Sequence, residues 1–194
     1  NELFPPYFSK YSSASSINKV TLLNNKIHNV ENNMKNKNFQ LAKKQLKEIL
    51  IEEPKHSYAN FLMGKIDMYS GKVESSWSYF EKAVDEDGFP HRSLSKINLI
   101  SKNLAEKNKD KVIYIDFPKV VRKLLSDDPS NNSIFVDWVH PSSLGHIIIG
   151  NLTSCEIIKH IKFKSNEEEY LCSKTKGNYN YETNYNYYKK KFKI

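Results

Sequence analysis

Through residues 19–87 apolar positions recur at helical spacing, each short run followed by a polar or turn-forming break. Leu22, Leu23, Ile27, Val30 and Met34 mark one amphipathic helix, and Phe39, Ala42, Leu46 and Ile49 mark a second. Ala59, Leu62, Met63 and Ile66 mark a third; Trp77, Phe80, Ala83 and Val84 mark a fourth. Gly71 falls between the third and fourth runs, where a turn is needed. Gly64 sits inside the third run, where a missing side chain permits a close helix crossing.

The runs also repeat. Phe39, Ala42, Leu46, Ile49 and Pro54 each stand 34 residues before Val73, Ser76, Phe80, Ala83 and Gly88, the period of a tetratricopeptide repeat. The spacing predicts four helices in two antiparallel pairs over residues 19–87, within a helical unit of residues 19–90. Arrays of this kind need about three units to bury a continuous core, so two pairs require a neighbour to pack on.

After residue 90 the rhythm changes. Ser93 to Lys107 has helical spacing at Leu94, Ile97, Ile100 and Leu104, with Ser93 placed to cap it. Lys111 to Asp116 is a short apolar run of the kind found in a parallel strand buried on both faces. Val120, Val121, Leu124 and Leu125 predict a short helix, and Leu144, Ile147, Ile148, Leu152 and Ile158 a longer last one beginning at Ser143. The alternation reads as α/β. A lone core strand cannot satisfy its own N–H and C=O groups, so the pattern implies strand partners elsewhere. At the other end, Pro5 and Pro6 among Leu3, Phe4, Tyr7 and Phe8 predict an extended, partly buried connector over residues 1–18.

Chemistry concentrates between the strand-like run and the last helix, in Phe135-Val136-Asp137-Trp138-Val139-His140-Pro141-Ser142-Ser143-Leu144-Gly145-His146. A carboxylate beside a histidine can accept from one imidazole nitrogen, which fixes the tautomer and leaves the other nitrogen to take a proton from a hydroxyl. The plainer reading of the same D-x-x-H spacing is that Asp137 caps the turn or the next helix and His140 is an ordinary polar side chain. No second His or Cys stands at ligand spacing and there is no H-E-x-x-H, so no metal or other cofactor is expected.

The string from Phe135 to Gly150 resembles the last sequence block of the SGNH (GDSL-like) hydrolases, matching it at Asp137, His140, Pro141, Gly145 and His146. The resemblance implies that His140 is the general base and that Asp137 orients it; it gives no role to His146. The Pro5-Pro6 stretch, with Pro90-His91-Arg92-Ser93 and Asn98, is similar to a subgroup of these hydrolases that carries a tetratricopeptide insertion. Arg92 then reads either as a substrate contact or as a helix-start salt bridge. The fold implied is the C-terminal part of a three-layer α/β/α hydrolase, residues 91–164, with an inserted all-α segment. In the family the serine nucleophile and the oxyanion-hole blocks precede the proline-rich connector. No serine here has that context, since Ser9, Ser12, Ser13, Ser15 and Ser16 lie in a Ser-rich linker without a strand-turn-helix setting. The resemblance therefore implies a piece of a longer ester or acyl hydrolase, acting on an acylated substrate. The alternative is a non-catalytic module in which the repeats bind a protein or peptide partner on a degenerate hydrolase-like support.

Charge changes this picture little. The net charge is +8, but residues 173–194 hold six lysines against Glu182, a surplus of +5, so most of the excess is in residues 173–194, the end of a Tyr- and Asn-rich tail at 165–194. With no nucleic-acid-binding motif attached, the expectation is a disordered tail and no nucleic-acid partner. No apolar run approaches the ~18 residues of a membrane span. Cys155 and Cys172 have no metal or redox spacing, and the compartment stays open.

Overall fold

The computed structural model describes residues 5–6, 8–11, 17–125 and 133–161; the tail at 165–194, and with it the expectation of disorder there, lies outside them. The first four helices are α1 (Ile17–Lys35), α2 (Phe39–Glu52), α3 (Ser57–Tyr69) and α4 (Val73–Asp85). α1 buries Leu23, Ile27 and Val30, and α2 buries Ala42, Leu46 and Ile49, in each case the i, i+3, i+4 stripe of the sequence. α1 packs on α2, α2 on α3 and α3 on α4. The links are short, which makes successive helices antiparallel. Two residues take left-handed backbone to turn the chain: Lys37 at φ 61° and Gly71 at φ 71°.

α3 is the centre of this stack. Ala59, Leu62, Met63, Gly64 and Ile66 are all buried on it, and the Phe80 ring of α4 lies against Gly64. Full burial of side chains such as Phe80, Leu46 and Ile49 stabilises by roughly 1.5–3 kcal/mol each. Two buried polar side chains stand out: Asp67 takes Lys43 and Ser75, and the His56 ring caps α3 by accepting from the Ala59 N–H at 3.1 Å through Nδ1, while its Nε2 is buried without a hydrogen-bond partner among the described residues.

The remaining helices are α5 (Ser95–Lys107), α6 (Phe117–Leu124) and α7 (Ser143–Ile161). Leu125 and Ile134 enter the same core as the first four helices, with Phe117, Val121, Phe135 and Ile148 packed against it. The Arg122 guanidinium lies over the Trp77 ring at 5.8 Å. The neighbour that two helix pairs require is therefore supplied in part by α6 and the loop ahead of α7. Cys155 on α7 is buried and disulfide-bonded.

The α/β expectation is overturned. Among the described residues there are seven α-helices and no sheet, only isolated bridges at Ser9–Asp87 and Phe135–Pro141. The three-layer α/β/α arrangement expected of residues 91–164 is not formed. Lys111–Asp116 is no strand: Val112 and Ile113 are 47% and 40% exposed, and no strand among the described residues pairs with it. β-prone residues make a buried strand only when a ladder satisfies their backbone, so without one the run is an irregular link from α5 to α6.

α5 differs in two further ways. It buries Ala105 but leaves Ile97, Ile100 and Leu104 about half exposed. It starts at Ser95 with Leu94 at the cap position, not with Ser93. The cap comes from α4, where Asp85 accepts from the Ser95 N–H at 2.8 Å and from Ser95 Oγ at 2.5 Å.

Candidate functional site

The Asp137–His140 loop is a closed turn on the face of the helical core. Phe135 and Pro141 form its antiparallel bridge, the Val136 N–H donates to the His140 carbonyl at 3.0 Å, and the Ser142 N–H donates to the Ile134 carbonyl at 2.9 Å. Ser142 Oγ then accepts from the Gly145 N–H at 3.1 Å, capping α7. Gly145 is required here, because a Cβ at this position would stand 2.2 Å from the Ile134 carbonyl oxygen and 2.8 Å from Pro141 Cβ.

Within the turn Asp137 uses both oxygens. Oδ1 accepts from the Val139 and His140 N–H groups at 2.9 and 2.8 Å, and Oδ2 meets His140 Nδ1 at 2.7 Å. The two readings of the D-x-x-H spacing are thus both present in one carboxylate, which caps the turn with one oxygen and orients the imidazole with the other. The backbone N–H groups of His140 and Val139, then the His140 side chain, hold its carboxyl down from 3.8 to about 2. A carboxylate only accepts, so Nδ1 carries the proton of that bond and Nε2 is left with its lone pair. The His140 side chain is 72% exposed, and its ring has no partner but Asp137 among the described residues. This is a base held in one tautomer with its accepting nitrogen toward solvent. His146, on the first turn of α7, is exposed.

A nucleophile is not at hand among the described residues. Ser142 Oγ is committed to Gly145 and to the Ser133 carbonyl. Ser9 does meet a histidine, with its Oγ 3.2 Å from His56 Nδ1, but that nitrogen already caps α3. Ser9 Oγ also accepts from Ser57 Oγ and the Tyr58 N–H, both at 3.1 Å. This is a part-buried joint between the connector and α3. Ser12, Ser13, Ser15 and Ser16 lie outside the described residues.

Arg92 is buried, with its Nη2 3.5 Å from Asp87 Oδ2 and 3.5 Å from the Pro5 carbonyl oxygen. Its link to the site runs through that carbonyl, which also accepts from Trp138 Nε1 at 2.9 Å. Sequence reasoning passed over Trp138, although a tryptophan between the acid and the base carries an indole N–H that needs an acceptor.

A cavity of about 380 Å³ opens elsewhere, between α4, α5 and the start of α6, lined among others by Asp85, Leu99, Lys102, Tyr114 and Lys119. Neither Asp137 nor His140 lines it. Among the described residues no three or more His, Cys, Asp or Glu side chains group closely enough to hold a metal ion, and no helix is long and apolar enough to cross a membrane. The chain matches no protein-family model, no curated protein and no solved structure.

Proposed function

We propose that Asp137 and His140 are the orienting acid and the general base of a serine ester or acyl hydrolase of the SGNH type. The observation that carries the reading is the 2.7 Å contact between Asp137 Oδ2 and His140 Nδ1 beside a largely exposed imidazole. In the mechanism, Nε2 takes the proton of a serine hydroxyl as it attacks the acyl carbon, and the imidazolium that forms is stabilised by the Asp137 carboxylate. His140 then returns the proton to the leaving alcohol. The serine and the donors that stabilise the oxyanion come from outside the described residues. Without them the pair gives little more than free imidazole, because triad members act as a unit.

The test is labelling of the native protein with a fluorophosphonate, which phosphonylates a serine only where a base activates it. A labelled serine found by mass spectrometry, with labelling lost in His140→Ala, supports the reading. Absence of label at saturating reagent, or label that persists in His140→Ala, removes it.

A second reading is favoured by the Asp137 Oδ1 bonds to the Val139 and His140 N–H groups, which would hold the turn with no chemistry at all. Under it the loop is a support and the stacked helix pairs α1–α4 bind a peptide partner. The labelling experiment separates the two.

A further inference from the structure

The bonds inside the Asp137–His140 turn give it shape, but the two side chains are 38% and 72% exposed, so water competes with those bonds wherever the turn is not held against the rest of the chain. Among the described residues, a side-chain bond from Trp138 reaches across to the N-terminal connector. The Trp138 indole N–H donates to the Pro5 carbonyl at 2.9 Å over a separation of 133 residues. Indole nitrogen donates and never accepts, so this contact has one sense and one partner atom.

The Pro5 carbonyl is itself held. Arg92 Nη2 lies 3.5 Å from the same oxygen, and its guanidinium is paired with Asp87, the two side chains being 3% and 2% exposed. A pair buried this deeply resists separation, since either charge alone would be left uncompensated in a poorly polarisable interior. Asp87 Oδ1 in turn accepts from the Phe8 and Phe89 N–H groups at 2.9 and 3.1 Å, and the Gly88 N–H donates to the Phe8 carbonyl at 2.7 Å. The connector is thereby stapled to the turn after α4. Adjacent prolines stiffen it by fixing φ at Pro5 and Pro6. A rigid acceptor results, presented to the loop that carries the base.

We infer that Trp138 and Arg92 are positioning residues for the Asp137–His140 pair: Arg92 fixes the Pro5 carbonyl, and Trp138 docks the loop on it. The inference rests on the acid–base reading above. It recasts Arg92 as a residue that acts on substrate only through the loop. A base displaced by about 1 Å can lose on the order of a hundredfold in rate, so an anchor of this kind matters to chemistry without touching it.

The experiment uses NMR on the 194-residue chain, reading the titration midpoint of the Asp137 carboxyl carbon and the imidazole nitrogen shifts of His140. Wild type, Trp138→Phe and Arg92→Lys are compared, each with its thermal unfolding. Trp138→Phe keeps a ring and removes the N–H. Wild type should show an Asp137 midpoint well below 3.8 and His140 protonated at Nδ1. Both variants should raise the midpoint by roughly half a unit or more and mix the two tautomers. The same midpoint and tautomer in wild type and Trp138→Phe would overturn the positioning role and leave the acid–base reading standing. An ordinary midpoint with His140 protonated at Nε2 in wild type would remove that reading, and this inference with it. Should Arg92→Lys not fold, the wild-type Trp138 indole proton decides: exchange several-fold slower than free indole supports the anchor, and exchange at the free rate overturns it.

Discussion

The Phe80 ring of α4 occupies the space that a side chain at Gly64 of α3 would need: a Cβ there would stand 2.7 Å from both Cδ1 and Cε1 of the ring. Phe80 is 1% exposed and also contacts the rings of Phe61 and Trp77, so it has no free direction in which to move. Alanine at a helical glycine gains about 0.5–1 kcal/mol of backbone entropy, but overpacking a filled core loses about 1–3 kcal/mol. Gly64→Ala should therefore be less stable than wild type in urea unfolding followed by circular dichroism, and Gly64→Val less stable still. An alanine variant more stable than wild type would mean that α3 and α4 do not cross at this point.

That crossing was legible in the sequence because helix pairs are local. A 3.6-residue stripe and a small residue at the contact appear within one window, and Asp137 with His140 is legible for the same reason, being three residues apart. What was misread depends on distant groups. Lys111–Asp116 has strand composition, but a strand exists through its partner, and none is present among the described residues. Ile97, Ile100 and Leu104 form a helical stripe, yet a stripe does not say what covers it. The Pro5 carbonyl under Trp138 is 133 residues away, and no local pattern encodes that meeting.

The start of α5 makes the same point in measurable form. Ser93 was the local candidate for the cap, whereas Asp85 supplies it from ten residues upstream, taking both the N–H and the Oγ of Ser95. Asp85→Ala should destabilise by about 0.5–2 kcal/mol, the usual loss at a cap, with faster amide exchange confined to the first turn of α5. Ser93→Ala should change neither. The reverse ranking would restore the local reading.

Gly145→Ala should be more damaging than Gly64→Ala. Its Cβ would meet the Ile134 carbonyl oxygen at 2.2 Å, and backbone cannot swing aside as a side-chain tip does. The first turn of α7 would have to lift off the loop, and the Ser142 N–H bond to that same carbonyl would go with it. Thermal unfolding should show the larger loss of stability at Gly145. The Asp137 carboxyl midpoint should rise toward 3.8 in the variant. A normally stable Gly145→Ala protein with an unshifted midpoint would contradict the packing described.

His56 gives a stability signature at mildly acid pH. Burial pushes its pKa below the ordinary 6.5, against the opposing pull of its backbone hydrogen bond and of Glu53. Tyr11 faces the ring edge-on, and Glu53 is itself paired with Lys19. At pH above 6.5 the histidine is neutral in both folded and unfolded chains and contributes no pH dependence. As pH falls below 6.5 the unfolded chain takes up the proton first, so stability falls until the folded pKa is reached. His56→Asn keeps a side-chain cap on α3 without the titration. The difference in unfolding free energy between wild type and His56→Asn, measured from pH 8 to pH 4, should shift against wild type below 6.5; a constant difference would show that His56 titrates normally.

Asp137 works with the opposite sign and in a lower window. Its carboxyl is held at about 2 in the folded chain against an ordinary 3.8, so the unfolded state binds the proton first on acidification. The stability it contributes is fully present above about pH 4 and is lost as pH falls through about 2. Asp137→Asn removes that dependence, so the stability gap between wild type and variant should narrow between pH 4 and 2 and be flat above. On the proposed hydrolase reading the same substitution leaves an amide, which can donate to Nδ1 and so favour the wrong tautomer. The expected loss in kcat is on the order of 10⁴, the loss seen when a triad aspartate is changed this way. Because the folded carboxyl titrates near 2, any fall in wild-type activity above pH 4 belongs to another group. Activity and acid stability are thus two readouts of one residue. A variant that loses the pH-dependent stability and keeps wild-type turnover would show Asp137 to be a turn cap alone, leaving His140 without an orienting partner.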